Sequence, residues 1–380
     1  MKSSQKAHAL DAVVAGYIGV DIAPGFPSGR ASVSAAELFR PGKLVETRGL
    51  SFSLGGVVAN SGLAMKRFGK RVELMGCVGS DALGDMVVSQ LREQGVIGGI
   101  RRNLRAGTAY GIVVAPPGMD RIFFEDPGCN AVFAADDIDY QTVARSRLFH
   151  FGYPPLMKSL WSNNGAELRK IFQRVRQLGV ATSLDLALPD SGSPAGKANW
   201  RRILTATLPH VDIFVPSIEE ILFMLQPEQY ARFLAAAAGR DMIDVIPQEA
   251  FERLSDQILA LGVSVLMIKA GHHGAYIRTG NVAKLTSSSA LKLRTDAWNH
   301  RSHWVRSLPV DARRFKNACG AGDCAVAGLL TAMLNGVDLE LAAQCAMIAG
   351  RDNLYGIDAC SGLSDWGWMT RYIEQRSRLV

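Results

Sequence analysis

The stretch NACGAGDCAVAGLLTAMLNG, residues 317 to 336, constrains this chain more than any other. Gly320, Ala321 and Gly322 spell a tight loop that runs straight into a helix, with Asp323 in its first turn and Asn335-Gly336 as its stop. Between them Cys324, Ala325, Val326, Ala327, Leu329, Leu330, Ala332, Met333 and Leu334 leave no polar face. A helix that is apolar all round must be buried, so the rest of the chain has to cover it on every side. Its start then lies at a cleft floor, where unpaired N–H groups converge and favour negative charge. A carboxylate beside an anion site suits transfer of a phosphoryl group to a hydroxyl. The same residues also fit a plain strand-to-helix turn whose Asp complements the dipole, and the remaining sequence has to decide.

A chain of 380 residues, 48% of them apolar and 20% charged, can bury one large α/β domain or two smaller ones. The run 11 to 21 reads as a buried first strand ending in Asp21, where a carboxylate can accept bonds from sugar hydroxyls. Residues 22 to 52, rich in Pro, Gly and Ser, lie outside the main sheet. Gly55 and Gly56 open a helix with Asn60 in its early turns and Gly69 at its end. A strand at 71 to 79 and a capped helix to Gly95 follow. The segment 108 to 128 reads as a hairpin around Pro116-Pro117-Gly118. Further strands fall at 148 to 152, at 180 to 188 with Asp185 near the end, and at 211 to 215 before Glu219-Glu220 on a helix start. The piece 264 to 278 reads as strand, Gly-rich turn, strand. A helix is expected from about 161 to 178, and at least two within 226 to 262. Strands alternating with helices call for a mostly parallel sheet covered on both faces.

Several function classes are excluded. The net charge of +7 and pI near 9.1 are spread along the chain, so no nucleic-acid partner is expected. The most basic part, 284 to 306 with Trp298 and Trp304, reads as a solvated insertion. Six cysteines without a C-x-x-C pair read as reduced core residues of a cytoplasmic protein. The apolar run 13 to 20 is too short to span a membrane and poorly placed for a signal peptide, so a soluble, unexported protein without a membrane partner is expected. No three-glycine dinucleotide fingerprint and no P-loop occurs. His272-His273 and His300-x-x-His303 read as surface or turn histidines, because no Cys or carboxylate stands at ligand spacing.

Gly55-Gly56 with Asn60, Gly69, Val78-Gly79-x-Asp81-x-x-Gly84, Lys269-Ala270-Gly271-x-x-Gly274 and Gly320-Ala321-Gly322-Asp323 stand in one order over nearly the whole chain. In that order they resemble the ribokinase-like, or phosphofructokinase-B type, carbohydrate kinases. The resemblance implies a three-layer α/β/α ribokinase-like fold over residues 11 to 375, with a mostly parallel central sheet. A small β lid would come from parts of about 22 to 53 and 107 to 126. It implies ATP-dependent phosphorylation of a sugar or sugar-derivative hydroxyl, with Asp323 as base and Gly320, Ala321 and Gly322 as anion hole. Asp323 is expected to be ionised at neutral pH. Asp21, Gly55, Gly56 and Asn60 would hold the sugar, and Asn130 and Tyr153 are further contact candidates. Ser217, Lys269, Gly271 and Gly274 would hold ATP, and Glu220 would order Mg2+ through water. The sequence departs from the family pattern at three places. Asn317-Ala318-Cys319 replaces a usual Asp-Thr start, which leaves a monovalent cation open. Ser217 stands for Asn in the usual Asn-x-x-Glu. Lys269 stands for Thr, as an ammonium facing phosphate or as a surface charge. A nucleoside acceptor, or a non-catalytic sugar-responsive protein on the same fold, is the alternative. Exposed lid strands leave room for a homodimer through the lid.

Overall fold

The computed structural model describes residues 8–27, 34–116 and 122–377. Its first strands are β1 (Ala12–Gly16), β2 (Gly19–Pro24), β3 (Leu50–Gly55), β4 (Val72–Gly79), β5 (Ile100–Asn103), β6 (Tyr110–Val114) and β7 (Ile122–Asp126). There follow β8 (Leu148–Gly152), β9 (Ala181–Leu184), β10 (Ile213–Phe214), β11 (Val265–Lys269), β12 (Ala275–Thr279) and β13 (Ser302–Val305). Nine of them form one sheet in the order β13-β12-β11-β10-β9-β8-β1-β4-β5, and β3-β2-β6-β7 form a second, smaller sheet. From β11 through β5 all neighbours in the large sheet pair parallel, whereas β12 and β13 add an antiparallel edge.

The large sheet is buried on both sides, as a parallel sheet must be. Along β1, Ala12 and Val14 pack into one apolar core while Val13 and Ala15 pack into the other. The first core holds the helix Ala321–Leu334, in which every residue from Asp323 to Leu334 is buried. That helix lies against Val57–Arg67 and Leu339–Asn353, which supply the cover its apolar circumference demands. The second core lies under Lys158–Gln177, Trp200–Thr207, Ile218–Leu225 and Gln248–Ala260. Three layers result.

Strand order sets the site. From β1 the chain moves to β4 and β5 on one side, then returns to β8 on the other and continues to β11. The carboxyl ends of β1 and β8 therefore flank a topological switch point, where open α/β sheets form their binding crevice.

Several expectations need correction. The run 11 to 21 is two strands, because Gly16 at φ 127 ends β1 and the chain crosses into the second sheet. Asp21 thus lies inside β2, away from the end of a core strand. Residues 284 to 306 are no solvated insertion. Leu285, Leu291, Leu293 and Trp298 are buried in the first core, and Trp298 Nε1 donates to the Val337 carbonyl at 2.9 Å. The charges that suggested solvation sit outside, where Arg294 pairs with Asp296 and Asp338. The helix expected from 161 begins at Lys158 and is interrupted from Ser162 to Gly165, where Asn163, Asn164 and Gly165 are left-handed. The hairpin is formed by β6 and β7, and Pro117 and Gly118 of its expected turn lie outside the described residues.

Register divides the small sheet into two faces with different chemistry. Asp21, Ser53, Gly111 and Glu125 lie in one row across the strands, and the next row is Ile22, Phe52, Ile112 and Phe124. Side chains alternate along a strand, so the polar row faces one way and the apolar row the other. The apolar face is open, with Phe52, Ile112 and Phe124 all exposed.

Candidate functional site

The loop before the buried helix starts at Gly320, whose φ of 78 turns the chain so that the amides of the first turn face the crevice. Asp323 in that turn is buried. Its Oδ2 accepts two bonds, from Asn60 Nδ2 at 2.9 Å and from the Tyr153 hydroxyl at 2.7 Å. Ser61 Oγ donates to the Asp323 carbonyl at 3.2 Å and ties the two helices together. Oδ1 has no hydrogen-bond partner among the described residues, although it is buried. One oxygen is anchored and the other is an acceptor still owed a donor. Burial pushes the Asp323 carboxyl above its ordinary range, while the Tyr153 bond, the Lys269 charge and the Asn60 bond pull it back. The helix N-terminus alone therefore does not set its ionisation; donors from two other elements hold the charge.

Lys269 ends β11 and is no surface charge. Its ammonium lies 2.7 Å and 2.9 Å from the two oxygens of Asp185, which follows β9. Asp185 is fully buried in this pair. Burial works against the ammonium, but Asp185, Glu220 and Asp323 together outweigh it and raise the Lys269 pKa. Burial raises Asp185 against the pull of Lys269, and the charges of Glu220 and Asp323 add to the rise. The Lys269 ammonium reaches both Asp185 oxygens. Ser217 caps the helix Ile218–Leu225 and closes a capping box: Ser217 N–H donates to Glu220 Oε2 at 2.7 Å, and Glu220 N–H to Ser217 Oγ at 3.3 Å. One Glu220 oxygen is thereby committed to the backbone.

Two cavities meet at the loop. One, about 230 Å³, lies between the polar row of the small sheet and the switch point. Asp21, Gly55, Gly56, Asn60, Glu125 and Gly320 are on its wall. The other, about 500 Å³, lies over the β11–β12 turn, with Lys269, Gly271, Gly274, Ala321, Gly322 and Met347 on its wall. A larger cavity of about 610 Å³ touches Asn60 but includes none of Gly320, Ala321 and Gly322.

The smaller cavity is acidic. Burial, then the charges of Glu125 and Asp323, push Asp21 up to about 6. Glu125 is exposed at the mouth, yet the atoms packed around its carboxyl raise it too, against a hydrogen bond from Tyr17. Gly111, between Asp21 and Glu125 in the row, brings no side chain to separate them.

Of the residues expected at a site, Asp21, Gly55, Gly56, Asn60, Tyr153 and Gly320 share the smaller cavity, and Lys269, Gly271, Gly274, Ala321 and Gly322 the one over the turn; Ser217, Glu220 and Asp323 line neither, and Asn130 is spent on structure, its side chain bonding both backbone groups of Ile18. Glu125, Gly111 and Tyr17 escaped the sequence reading: register across the small sheet brings the first two to Asp21, and Tyr17 reaches the same cavity from the link between β1 and β2, which a continuous apolar run concealed. Tyr153 had a signal, following a buried strand before Pro154-Pro155, and it adopts a left-handed φ of 66. The histidines at 272 and 273 do acquire a carboxylate, Asp244, which sequence spacing hides.

Residues 31–351 match the family model described as pfkB family carbohydrate kinase. An uncharacterized sugar kinase of Archaeoglobus fulgidus is 24% identical over 280 residues, 73% of this chain and 89% of that protein. Among solved structures, Arabidopsis thaliana ribokinase complexed with ribose and ATP superposes with a TM-score of 0.69 at 16% identity, covering 96% of this chain and 99% of that one. A fructokinase with bound ATP from Xylella fastidiosa gives 0.66 at 19% identity, with the same coverage. Among the described residues, no helix is long and apolar enough to cross a membrane, and no disulfide is formed.

Proposed function

Since the chain belongs to the pfkB family of carbohydrate kinases and is thus a phosphotransferase, we propose that it moves the γ-phosphoryl group of ATP to a hydroxyl of a sugar or sugar derivative. Asp323 is the base, and the amides of Gly320, Ala321 and Gly322 form the anion hole. The observation that carries this reading is the shared loop: Gly320 lines the acidic cavity while Ala321 and Gly322 line the other, and Asp323, with one unpartnered carboxylate oxygen, follows directly in the same helix turn. Phosphoryl transfer needs two substrates in line across such a partition, and little more than positioning and charge.

The acceptor occupies the acidic cavity, which is smaller than usual for drug-sized ligands and suits a monosaccharide better than a nucleoside. Asp21, Gly55, Gly56 and Asn60 hold its hydroxyls. Asp323 Oδ1 takes the proton of the attacking hydroxyl, while Asn60 and Tyr153 keep Oδ2 fixed. ATP lies over Gly271 and Gly274, within reach of Ser217 and Lys269, whose side chain passes beside Gly322. Asp185 is taken up by Lys269, so the Glu220 oxygen left outside the capping box is the carboxylate that would hold Mg2+, through water. Bound Mg2+ neutralises phosphate charge. At the position tied to a monovalent cation, Asn317 Nδ2 donates to the Gly356 and Ile357 carbonyls, so a donor already fills that side. The small sheet is the lid, and its apolar face of Ile22, Phe52, Ile112 and Phe124 is the surface we assign to a second lid in a homodimer.

Magnesium-dependent ADP release across hexoses, ketoses, keto-deoxy sugar acids and nucleosides tests the reading. Release with a sugar supports it. No release with any of them, while a sugar raises thermal stability, would replace it with a non-catalytic sugar-binding protein.

Asp21 makes a signed prediction. Its ionised form accepts from sugar hydroxyls more strongly than its protonated form, so kcat/KM for the acceptor falls as pH drops below about 6. Its folded-state pKa is raised above 3.8, so its stabilising contribution is present at acid pH and lost as pH rises through about 6. Asp21→Asn should therefore abolish acceptor affinity and raise Tm, more at pH 8 than at pH 5. An unchanged Tm at both would refute the assigned strain.

Gly55→Ala tests the cradle. A Cβ there would stand 2.7 Å from Asp21 Oδ1 and 2.8 Å from its Cγ, so the carboxylate must turn away. Steady-state kinetics should show acceptor KM raised about tenfold with the ATP KM unchanged.

A further inference from the structure

The turn between β11 and β12 carries two adjacent histidines, and the fold brings them an aspartate from 28 residues earlier in the chain. His272 Nε2 lies 2.8 Å and His273 Nε2 3.0 Å from the same atom, Asp244 Oδ1. The two rings sit 4.3 Å apart between centroids with 39° between their planes, so both nitrogens converge on one point. Ligand atoms from all three residues lie within 4.8 Å of one another, and all three side chains are exposed. The remaining ring nitrogen of His272, Nδ1, faces Asp241 Oδ2 at 3.6 Å.

A neutral imidazole has one N–H to give. In the tautomer that carries its proton on Nδ1, toward Asp241, His272 turns an Nε2 lone pair toward the Asp244 oxygen, and two electron-rich atoms at 2.8 Å need a cation between them. A second proton supplies one such cation, and a metal ion the other. Zinc bonded at about 2.0–2.2 Å to nitrogen and oxygen sets tetrahedral ligands roughly 3.3 Å apart. The observed separations need to open by only a few tenths of an ångström to admit it.

We propose that Asp244, His272 and His273 form a binding site for a divalent transition metal ion of the zinc type, with Asp241 orienting His272 from behind. Imidazole with carboxylate selects zinc, cobalt or nickel, whereas magnesium prefers oxygen donors and several waters, so this site is chemically separate from any magnesium held beside Lys269. A carboxylate on the second nitrogen of a ligating histidine fixes its tautomer and strengthens it as a ligand. Exposure gives the ion a direct path in. His272 and Asp241 also line the 500 Å³ cavity, and Asp244 belongs to the short helical stretch Met242–Val245. An ion here ties that stretch to the 271–273 turn at the cavity rim.

The full chain, without an affinity tag, is titrated with cobalt chloride followed by visible absorption, and with zinc chloride followed by calorimetry. Saturable binding of one ion is expected, with cobalt bands that lack thiolate charge transfer. Asp244→Asn and His272→Gln should each weaken it at least about tenfold. Zinc should raise Tm in the unaltered protein and in neither variant. Absence of saturable binding would mean that a proton alone holds the contact, and binding unchanged in both variants would put the ion elsewhere, on the thiols for example. Either result overturns the proposal.

Discussion

Asp323→Asn lowers kcat by about three orders of magnitude while leaving nucleotide affinity within a factor of about two. The substitution keeps size and shape, so the helix start and both cavities persist. What it removes is the proton acceptor at Oδ1 and the charge around which Asn60 and Tyr153 are arranged. An amide can still take the Tyr153 bond through its oxygen, but its NH2 then faces the acceptor hydroxyl as a donor, which is the wrong polarity for abstraction. The nucleotide contacts proposed for Gly271, Gly274 and the loop amides are not touched by the change. Removing a buried negative charge next to Asp185 and Asp21 should leave the protein at least as stable as before. Turnover comparable to the unaltered enzyme would remove Asp323 from the mechanism. Lost ATP binding, read by calorimetry, would mean that the change has collapsed the loop instead.

Lys269→Met has the second large expected effect, on stability. Truncating one member of a buried ion pair leaves the other charge uncompensated, typically at about 3–5 kcal/mol. The observed geometry fits that case, with Asp185 fully buried and Lys269 on both of its oxygens. The loss is pH-dependent with a definite sign. Burial, with the charges of Glu220 and Asp323, already pushes Asp185 up to about 7 against the pull of the ammonium, and without the ammonium it rises further. A carboxyl with a raised folded-state pKa contributes stability at low pH that disappears as pH climbs through that value. The variant should therefore sit close to the unaltered protein at pH 6 and well below it at pH 8 in denaturant titrations. Adding Asp185→Leu should recover most of the loss at pH 8, since an apolar pair of similar volume often replaces a buried ion pair without penalty. A pH-independent loss would contradict the account.

How far the sequence could be read follows from which interactions are local. The buried helix, its cap at Gly320 and the carboxylate after it are consecutive residues, so composition and spacing suffice to find them. The alternation of strands and helices is likewise local, and it led to the three layers. Asp21 was found for an incomplete reason. A continuous apolar run concealed the turn at Gly16 that moves it into another sheet. Lys269 could be read as an ammonium facing phosphate or as a surface charge, but not as half of a buried pair, because its partner lies 84 residues away, after another strand. Glu125 belongs to the site only through a register shared by β2, β6 and β7, and Asp244 meets its histidines only through tertiary packing. Basic residues at 284 to 306 misled for a related reason: net charge describes the solvent side of a segment and says nothing of a Trp298 facing inward.

The two-row layout of the small sheet has a consequence for how such a protein diverges. In the outer part of the sheet the row of Asp21, Ser53, Gly111 and Glu125 lies on the face of the acidic cavity and the row of Ile22, Phe52, Ile112 and Phe124 on the other, so two unrelated selective pressures are written in alternate letters of one word. A point substitution edits one text and leaves the other intact, which lets substrate preference drift without disturbing what the outer face meets. A single-residue deletion inside β2 would instead transpose the texts, turning Ile22 toward the acceptor and Asp21 toward solvent. Tolerated length changes should therefore gather in the connections between these strands, while the strands themselves keep their count.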